Sequence, residues 1–299
     1  MQIGIMLPSR ETAMTGRHDA AGLVRFARRA EEAGLDSVWT GESVLARTRV
    51  EPLSLLSAVA GATSRVCLGT AALIGPLRHH LALASQAATV DQLSGGRLIL
   101  GLGAGAPMPE SRGEFEALGV PFAGRTSRLD DLVDQCRQWW RGGDALPAVQ
   151  PGGPPLWLAG GDSPRVIARV ASHFDGWLPY MPDAGAYARA WKEISSQTEE
   201  NGRMVTPGLY ATLVIADRAN DVLDAYARAY YRQPLSVMNQ LQAYHGGSAA
   251  SCLDWLGHYV EAGARHLILR IGSVDADEQL DLIGERLLPD LRSMSRRIP

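Results

Sequence analysis

Hydrophobic positions along this chain change period repeatedly, and the changes mark out its elements. Residues 66–74 form a continuous apolar, β-branched run, as a strand covered on both faces requires, and the run breaks at Gly75-Pro76. Beyond it Leu83, Ala87, Val90 and Leu93 recur at spacings of 4, 3 and 3, one face of a helix that Gly95-Gly96 stops. Residues 98–102 return to the buried-strand pattern, so this stretch predicts a β-α-β unit with parallel strands and a right-handed crossover. The same alternation runs through the chain, with further strands predicted at 3–7, 37–40, 156–159, 176–179, 209–216 and 265–271. Between them lie helical stripes such as Leu23, Phe26, Ala30 and Ala33 behind a capping Asp19, a helix opened by Pro52, one at about 127–140, and others at 218–231 and 249–262. The Gly- and Pro-rich stretch 142–155 reads as a linker too short to separate domains, an irregular insertion follows Gly105, and 233–247 reads as a mobile lid. Eight strand–helix repeats in 299 residues predict one (β/α)8 TIM barrel domain with insertions in its C-terminal-face loops, an open doubly wound sheet being the alternative. Function is then expected in the loops that follow the strands.

Composition narrows the chemistry. With 29 basic and 32 acidic residues, a net charge of -3 and no basic block, neither nucleic acid nor an anionic membrane is an expected partner. Met1 leads directly into a strand-like run and no apolar stretch is long enough to span a bilayer, so a soluble, cytoplasmic protein is expected. Cys67, Cys136 and Cys252 are odd in number, widely spaced and set in apolar surroundings, which predicts buried free thiols. The single lysine, Lys192, falls inside a predicted helix, which argues against a Schiff-base enzyme. The seven histidines form no H-x-H pair, and adjacent His79 and His80 would point apart on an extended chain; a metal site is not expected. What remains is a barrel that takes its chemistry from an organic cofactor.

Two glycine turns carry that idea. Gly101, Gly103, Gly105 and Ala106 match the spacing of a dinucleotide fingerprint, but Pro107 and Pro109 stand where its helix should begin. The turn is read instead as a strand end where a flat ring can approach the backbone, or as tight packing at a barrel rim. Ala159-Gly160-Gly161-Asp162-Ser163-Pro164 places two glycines after a strand, then Ser163 at an N-cap and Pro164 at the first helical position. Exposed amides and a helix N-terminus make a phosphate seat there, unless the turn is simply a cap.

The segments LDSVWTGES (35–43), EPLSLLSAVAGATSRVCLGTA (51–71), PLRHHLALASQAATVDQLSGGRLILGLGAG (76–105), GEFEALGVPFAGRTSRLDDLV (113–133) and LWLAGGDSPRVIARVASHFDGW (156–177) resemble the luciferase-like monooxygenase superfamily, most of all its branch using the deazaflavin coenzyme F420. The resemblance implies a barrel that holds the cofactor ring at its C-terminal mouth, with a non-prolyl cis peptide near Ala71 and Ala72. It implies that Gly103 and Gly105 line the ring pocket, that Ala159, Gly160, Gly161 and Ser163 receive the phosphate, and that Arg78 anchors an anionic part of the cofactor or caps the next helix. Glu42-Ser43 stands where many F420-dependent relatives carry Asp-His, Ala106 where some carry a glutamate, and Arg78-His79-His80 where R-H-P is usual. The carboxylate survives but the imidazole does not, which counts against a sugar-phosphate dehydrogenase needing a base on the alcohol, whereas a reductase acting on an activated C=C, C=N or C=O bond of a small organic substrate needs only a proton donor. Glu42 is the first catalytic candidate, set against a rim salt bridge with Arg47 or Arg49, and His79 the second, set against a packing role. Tyr180, Glu110 and Glu114 are weaker candidates, and Trp177 is read as core. The apolar residues Leu235, Val237, Met238, Leu241 and Tyr244 suggest a substrate wall or a dimer contact. The alternatives are an FMN-dependent monooxygenase served by a cofactor-reducing partner enzyme, and a barrel that binds a ligand without turnover; a homodimer is implied by the resemblance alone.

Overall fold

The structure, a computed structural model, describes residues 1–45, 47–142 and 146–296. In chain order its elements are β1 (Gln2–Met6), α1 (Ser9–Thr15), α2 (Ala20–Glu32), β2 (Ser37–Thr40), α3 (Pro52–Ala62), β3 (Cys67–Thr70), β4 (Leu73–Ile74), a 3-10 turn (Gly75–Leu77), α4 (His80–Ser94), β5 (Leu98–Gly103), α5 (Pro109–Ala117) and α6 (Arg125–Gly142). There follow β6 (Leu156–Ala159), α7 (Pro164–His173), β7 (Gly176–Leu178), α8 (Ala184–Glu200), β8 (Thr206–Ile215), α9 (Ala219–Tyr231), α10 (Leu235–Leu241), β9 (Tyr244–Gly247), α11 (Ala249–Glu261), β10 (His266–Ile271), α12 (Ala276–Arg286) and α13 (Leu288–Ser295). Strands β10, β1, β2, β3, β5, β6, β7 and β8 pair in that order, all parallel, and β10 pairs back onto β8 to close the ring. This is a (β/α)8 barrel, with the loops after the strands gathered at one mouth.

Three expectations change. The run at 66–74 is not one strand: it is interrupted at Ala71-Ala72, whose peptide is cis, and resumes as β4 beside β5. The stretch 233–247 is α10 and β9 rather than a mobile lid. Its strand pairs with the end of β8, from Thr212↔Tyr244 to Ile215↔Gly247. β8 starts three residues earlier than predicted, and its first residues pair with β7. The apolar residues of that stretch are partly spent on packing, because Leu235, Met238 and Tyr244 are buried with Val214 and Leu223 in a small core of their own. The insertion after Gly105 contains α5, and the linker expected at 142–155 includes residues 143–145, which lie outside the described residues.

The barrel interior is filled chiefly by two tryptophans. Trp39 and Trp157 meet with ring centroids 5.3 Å apart, and the buried His266 presents its edge to both. Their size explains two glycines: a methyl on Gly69 would lie 2.1 Å from the Trp39 ring, and one on Gly176 would lie 2.4 Å from Trp157. At the opposite end from the mouth, Arg97 of the LSGGR motif locks the start of β3 to two helix ends. Its guanidinium donates to the carbonyls of Ser94, Val66, Ala60 and Thr63 at 2.6, 2.8, 3.1 and 3.0 Å, where cationic groups suit helix C-termini. Asp91, two residues before that motif, is fully buried and accepts from the amides of Val149 and Gln150 and from the Gln150 side chain. All three cysteines are free; Cys136 and Cys252 are buried and Cys67 is half-buried. Among the described residues no helix is long and apolar enough to cross a membrane.

Candidate functional site

A cavity of about 540 Å³ opens at the C-terminal mouth. Its floor is made where strands end in small residues. β4 and β5 run side by side with Ile74 opposite Gly103, and β6 follows with Ala159 at its tip. A methyl placed on Gly103 would lie 3.7 Å from the Ala72 Cβ and 3.9 Å from the Ala159 Cβ, so Ala72, Gly103 and Ala159 form one flat surface clear of long side chains. Gly105 turns away at φ +88 with Phe115 packed against it, and its carbonyl accepts from Arg125 Nε at 3.1 Å. Residues this small let a flat ligand come close to the backbone.

At the β6 end, Ser163 caps α7 by accepting from the Val166 amide, and Pro164 opens the helix. The indole of Trp177, itself fully buried, donates to the carbonyls of Gly160 and Gly161 at 3.2 Å each and fixes the turn from beneath. Ala159 and Gly160 line the cavity; Gly161 and Ser163 stand just beyond it, and the space about Gly161 is open.

The predicted polar residues divide. Glu42 lines the cavity, yet both of its carboxylate oxygens are engaged, one by the Ile74 amide at 2.6 Å and the other by Arg78 at 2.5 Å. Its partner is thus Arg78 rather than Arg47 or Arg49, and Arg78 in turn bonds Glu51 at 3.0 Å. Together with the Glu42 amide, which donates to the Ala72 carbonyl, this network fixes the Ala71-Ala72 turn from outside. Arg78 and His79 do not line the cavity. His79 precedes α4 and stacks on His80 at 4.3 Å rather than pointing away from it, while His80 Nδ1 accepts from Trp139 Nε1 on α6 at 2.8 Å. Glu114 is buried and accepts from the Val44 and Leu45 amides and the Ser43 hydroxyl, which shapes the loop after β2. Tyr180 and Glu110 reach the cavity from its rim, both exposed.

The strongest electrostatics lie where sequence reasoning did not look. Arg270, on the penultimate residue of β10, is buried and donates to Tyr231 Oη at 2.7 Å and to Tyr244 Oη at 2.5 Å. Arg10, from α1, also donates to Tyr231 Oη. Tyr231 lines the cavity, and its hydroxyl lies 3.3 Å from Gln242 Oε1. Burial alone would push this phenol up; the two guanidiniums and their hydrogen bonds outweigh it and hold Tyr231 down to about 7. Behind it, burial raises the Glu11 carboxyl although Tyr226 donates to it at 2.6 Å. The signals were present: an arginine inside the apolar strand HLILRI, and paired tyrosines at the end of the helix after β8.

The model of the family described as luciferase-like monooxygenase matches residues 1–266. The F420-dependent glucose-6-phosphate dehydrogenase of Amycolatopsis mediterranei (strain U-32) is 27% identical, over 91% of this chain and 95% of that protein. Among solved structures, the coenzyme F420-dependent tetrahydromethanopterin reductase of Methanopyrus kandleri superimposes with a TM-score of 0.76 at 18% identity, covering 97% of this chain and 99% of the other. The oxygenating constituent of 3,6-diketocamphane monooxygenase from Pseudomonas putida, in complex with FMN, does so with a TM-score of 0.75 at 17% identity, covering 97% and 98%.

Proposed function

Because the chain belongs to the luciferase-like monooxygenase family, we propose that it is an F420-dependent oxidoreductase moving a hydride between the cofactor and an activated C=C, C=N or C=O bond of a small organic substrate. The observation that carries the reading is the wall of small residues, Ala72, Gly103 and Ala159, inside the mouth cavity. The likeness to an F420-dependent relative across nine-tenths of the chain supports the deazaflavin over a flavin. Ala71, Ala72, Gly103 and Gly105 would bear the ring, while Ala159, Gly160, Gly161 and Ser163, with the N-terminus of α7, would seat the phosphate. A deazaflavin has carbon where a flavin has its reactive nitrogen, so it supplies a hydride and does not readily activate oxygen.

The protein's part is to position and to handle a proton. In this reading Tyr231 is the acid: it lines the cavity, and a group that titrates near neutrality can both give and recover a proton at working pH. Arg10 and Arg270 fix its oxygen and stabilise the phenolate left behind. Glu42 serves as a positioning residue, holding Ile74 and Arg78 so that the Ala71-Ala72 turn keeps its place.

Parallel anaerobic titrations with reduced F420 and reduced FMN, followed by fluorescence, test the assignment. Selective binding of F420, with the affinity lost in Gly160→Val, is the expected result. Selective binding of FMN would move the protein to oxygen-dependent monooxygenation with a separate reductase, and binding of neither would leave a barrel without this chemistry.

A further inference from the structure

At the end of the cavity away from Gly160, three guanidiniums converge on one ring. The Arg10, Arg47 and Arg49 Cζ atoms stand 4.5, 6.0 and 6.0 Å from the centroid of Tyr230, and all three arginines line the cavity. The barrel order places β1 four strands round from β6 in either direction, so Arg10 faces the phosphate turn from the opposite wall.

Arg10 donates to Tyr231 and Arg47 to the Tyr230 carbonyl at 2.8 Å, while two carboxylates beside the cavity are engaged elsewhere. Glu42 is spent on Arg78 and Ile74, and Glu114 bonds the loop amides. Arg49 gives one nitrogen to the Glu42 carbonyl, but its Nε and Nη1 are buried and have no hydrogen-bond partner among the described residues. Arg10 Nε is in the same state, and so is the Tyr210 hydroxyl in the cavity wall. Buried donors on charged groups are costly to leave unmade, and such a cluster beside an open cavity is built for an acceptor that arrives with the ligand. Arg49 also stands next to the ring wall: a methyl on Gly41 would lie 3.1 Å from its Nη1 and 2.7 Å from the Ala71 carbonyl oxygen.

We propose that the substrate is an organic acid, whose oxyanion (carboxylate, sulfonate or phosphate) is held by Arg10, Arg47 and Arg49 while its body lies across Ala71-Ala72 toward Leu178 and Tyr180. Guanidinium groups bind such oxyanions through charge-assisted hydrogen bonds. The apolar wall of Leu73, Ile74, Met108 and Leu178 suits a carbon skeleton rather than an inorganic ion. The inference rests on the reading of Ala71-Ala72 as the ring site, but the anion pocket can be tested without any cofactor.

The full chain is titrated by calorimetry with benzoate, benzenesulfonate, phenyl phosphate and the neutral benzamide. At least one oxyanion should bind about tenfold or more tightly than benzamide, weaken as salt is raised, and weaken by about tenfold or more in Arg10→Gln and in Arg49→Gln. The tightest of the three oxyanions identifies the acid class. Arg49→Lys, which keeps the charge, should retain part of the affinity, and thermal melting shows that each variant is folded; if Arg49→Gln does not fold, Arg10→Gln carries the test. No oxyanion preference, or a preference unchanged in the folded variants, overturns the proposal. Competition between the bound acid and F420 or FMN also overturns it, because the arginines then belong to the cofactor. Acid binding without binding of either cofactor would defeat the proposed function and leave the anion pocket standing; cofactor binding without acid binding would do the reverse.

Discussion

Replacing Tyr231 with phenylalanine removes one oxygen and disturbs two arginines. In the native site that oxygen accepts from Arg10 and, at 2.7 Å, from Arg270, both in a water-poor setting. Hydrogen bonds to charged groups are worth about 1.5–3 kcal/mol net, so losing this acceptor should destabilise the protein by roughly 3 kcal/mol or more. The loss must depend on pH, and its sign follows from the phenol. Burial opposes ionisation, yet Arg10 and Arg270 bring the folded value to about 7, well below the ordinary 10. Between these values the unfolded chain carries a proton that the native chain has released, so stability rises with pH across the window and falls away as pH drops through 7. Three pH units correspond to about 4 kcal/mol. Urea unfolding of wild type and Tyr231→Phe, measured at about pH 6 and about pH 9, gives the difference directly. The gap between them should widen by a few kcal/mol at the higher pH, and the wild type alone should show tyrosinate absorption appearing near neutrality. Parallel stability curves and no tyrosinate signal below pH 9 would refute the reasoning, and with it the role of Tyr231 as acid.

Three other outcomes follow from particular contacts. His266 is buried against Ser37 and the tryptophans, and burial lowers its imidazole to about 4. Since the native state refuses a proton that the unfolded chain accepts below about 6.5, up to about 3 kcal/mol should be lost between there and pH 4, a loss absent in His266→Gln when acid unfolding is compared by circular dichroism. Asp91→Ala leaves the Val149 and Gln150 amides without their acceptor, and should cost about 3 kcal/mol in urea unfolding. Gly103→Val puts a branched side chain on the flat wall, so it should reduce cofactor affinity by about tenfold or more while shifting stability by less than about 1.5 kcal/mol, measured by titration and by melting.

The barrel was legible because its signals are local and repeated. Continuous apolar runs at 98–102 and 265–271, stripes such as Leu23, Phe26 and Ala30, and caps such as Asp19, which accepts from the Gly22 amide at 2.8 Å, each declare an element on their own. β9 was not legible, because YHGG has little strand character and is held by pairing with β8. The same division runs through the site. Small residues at strand ends, Ala71, Ala72, Gly103 and Gly160, could be read as cavity wall because smallness is itself the signal. The fate of Glu42 could not, since the sequence offered Arg47 and Arg49 close by and the fold delivered Arg78 across the turn. Nor could the Arg10–Tyr231–Arg270 cluster, whose members lie 221 and 39 residues apart and meet only when β10 closes on β1.

The paired tryptophans inside the barrel have an optical consequence. Trp39 and Trp157 are buried with Leu178 and Tyr210, which also line the cavity, so two shielded fluorophores sit directly beneath the proposed ring site. Indoles in so dry a setting emit to the blue of those in water, and that emission overlaps the absorption of deazaflavins and flavins. A cofactor resting on Ala72 and Gly103 would draw energy from both, and the barrel core would dim in proportion to occupancy. The packing that closes the bottom of the cavity thereby gives the protein a built-in gauge of what occupies its top.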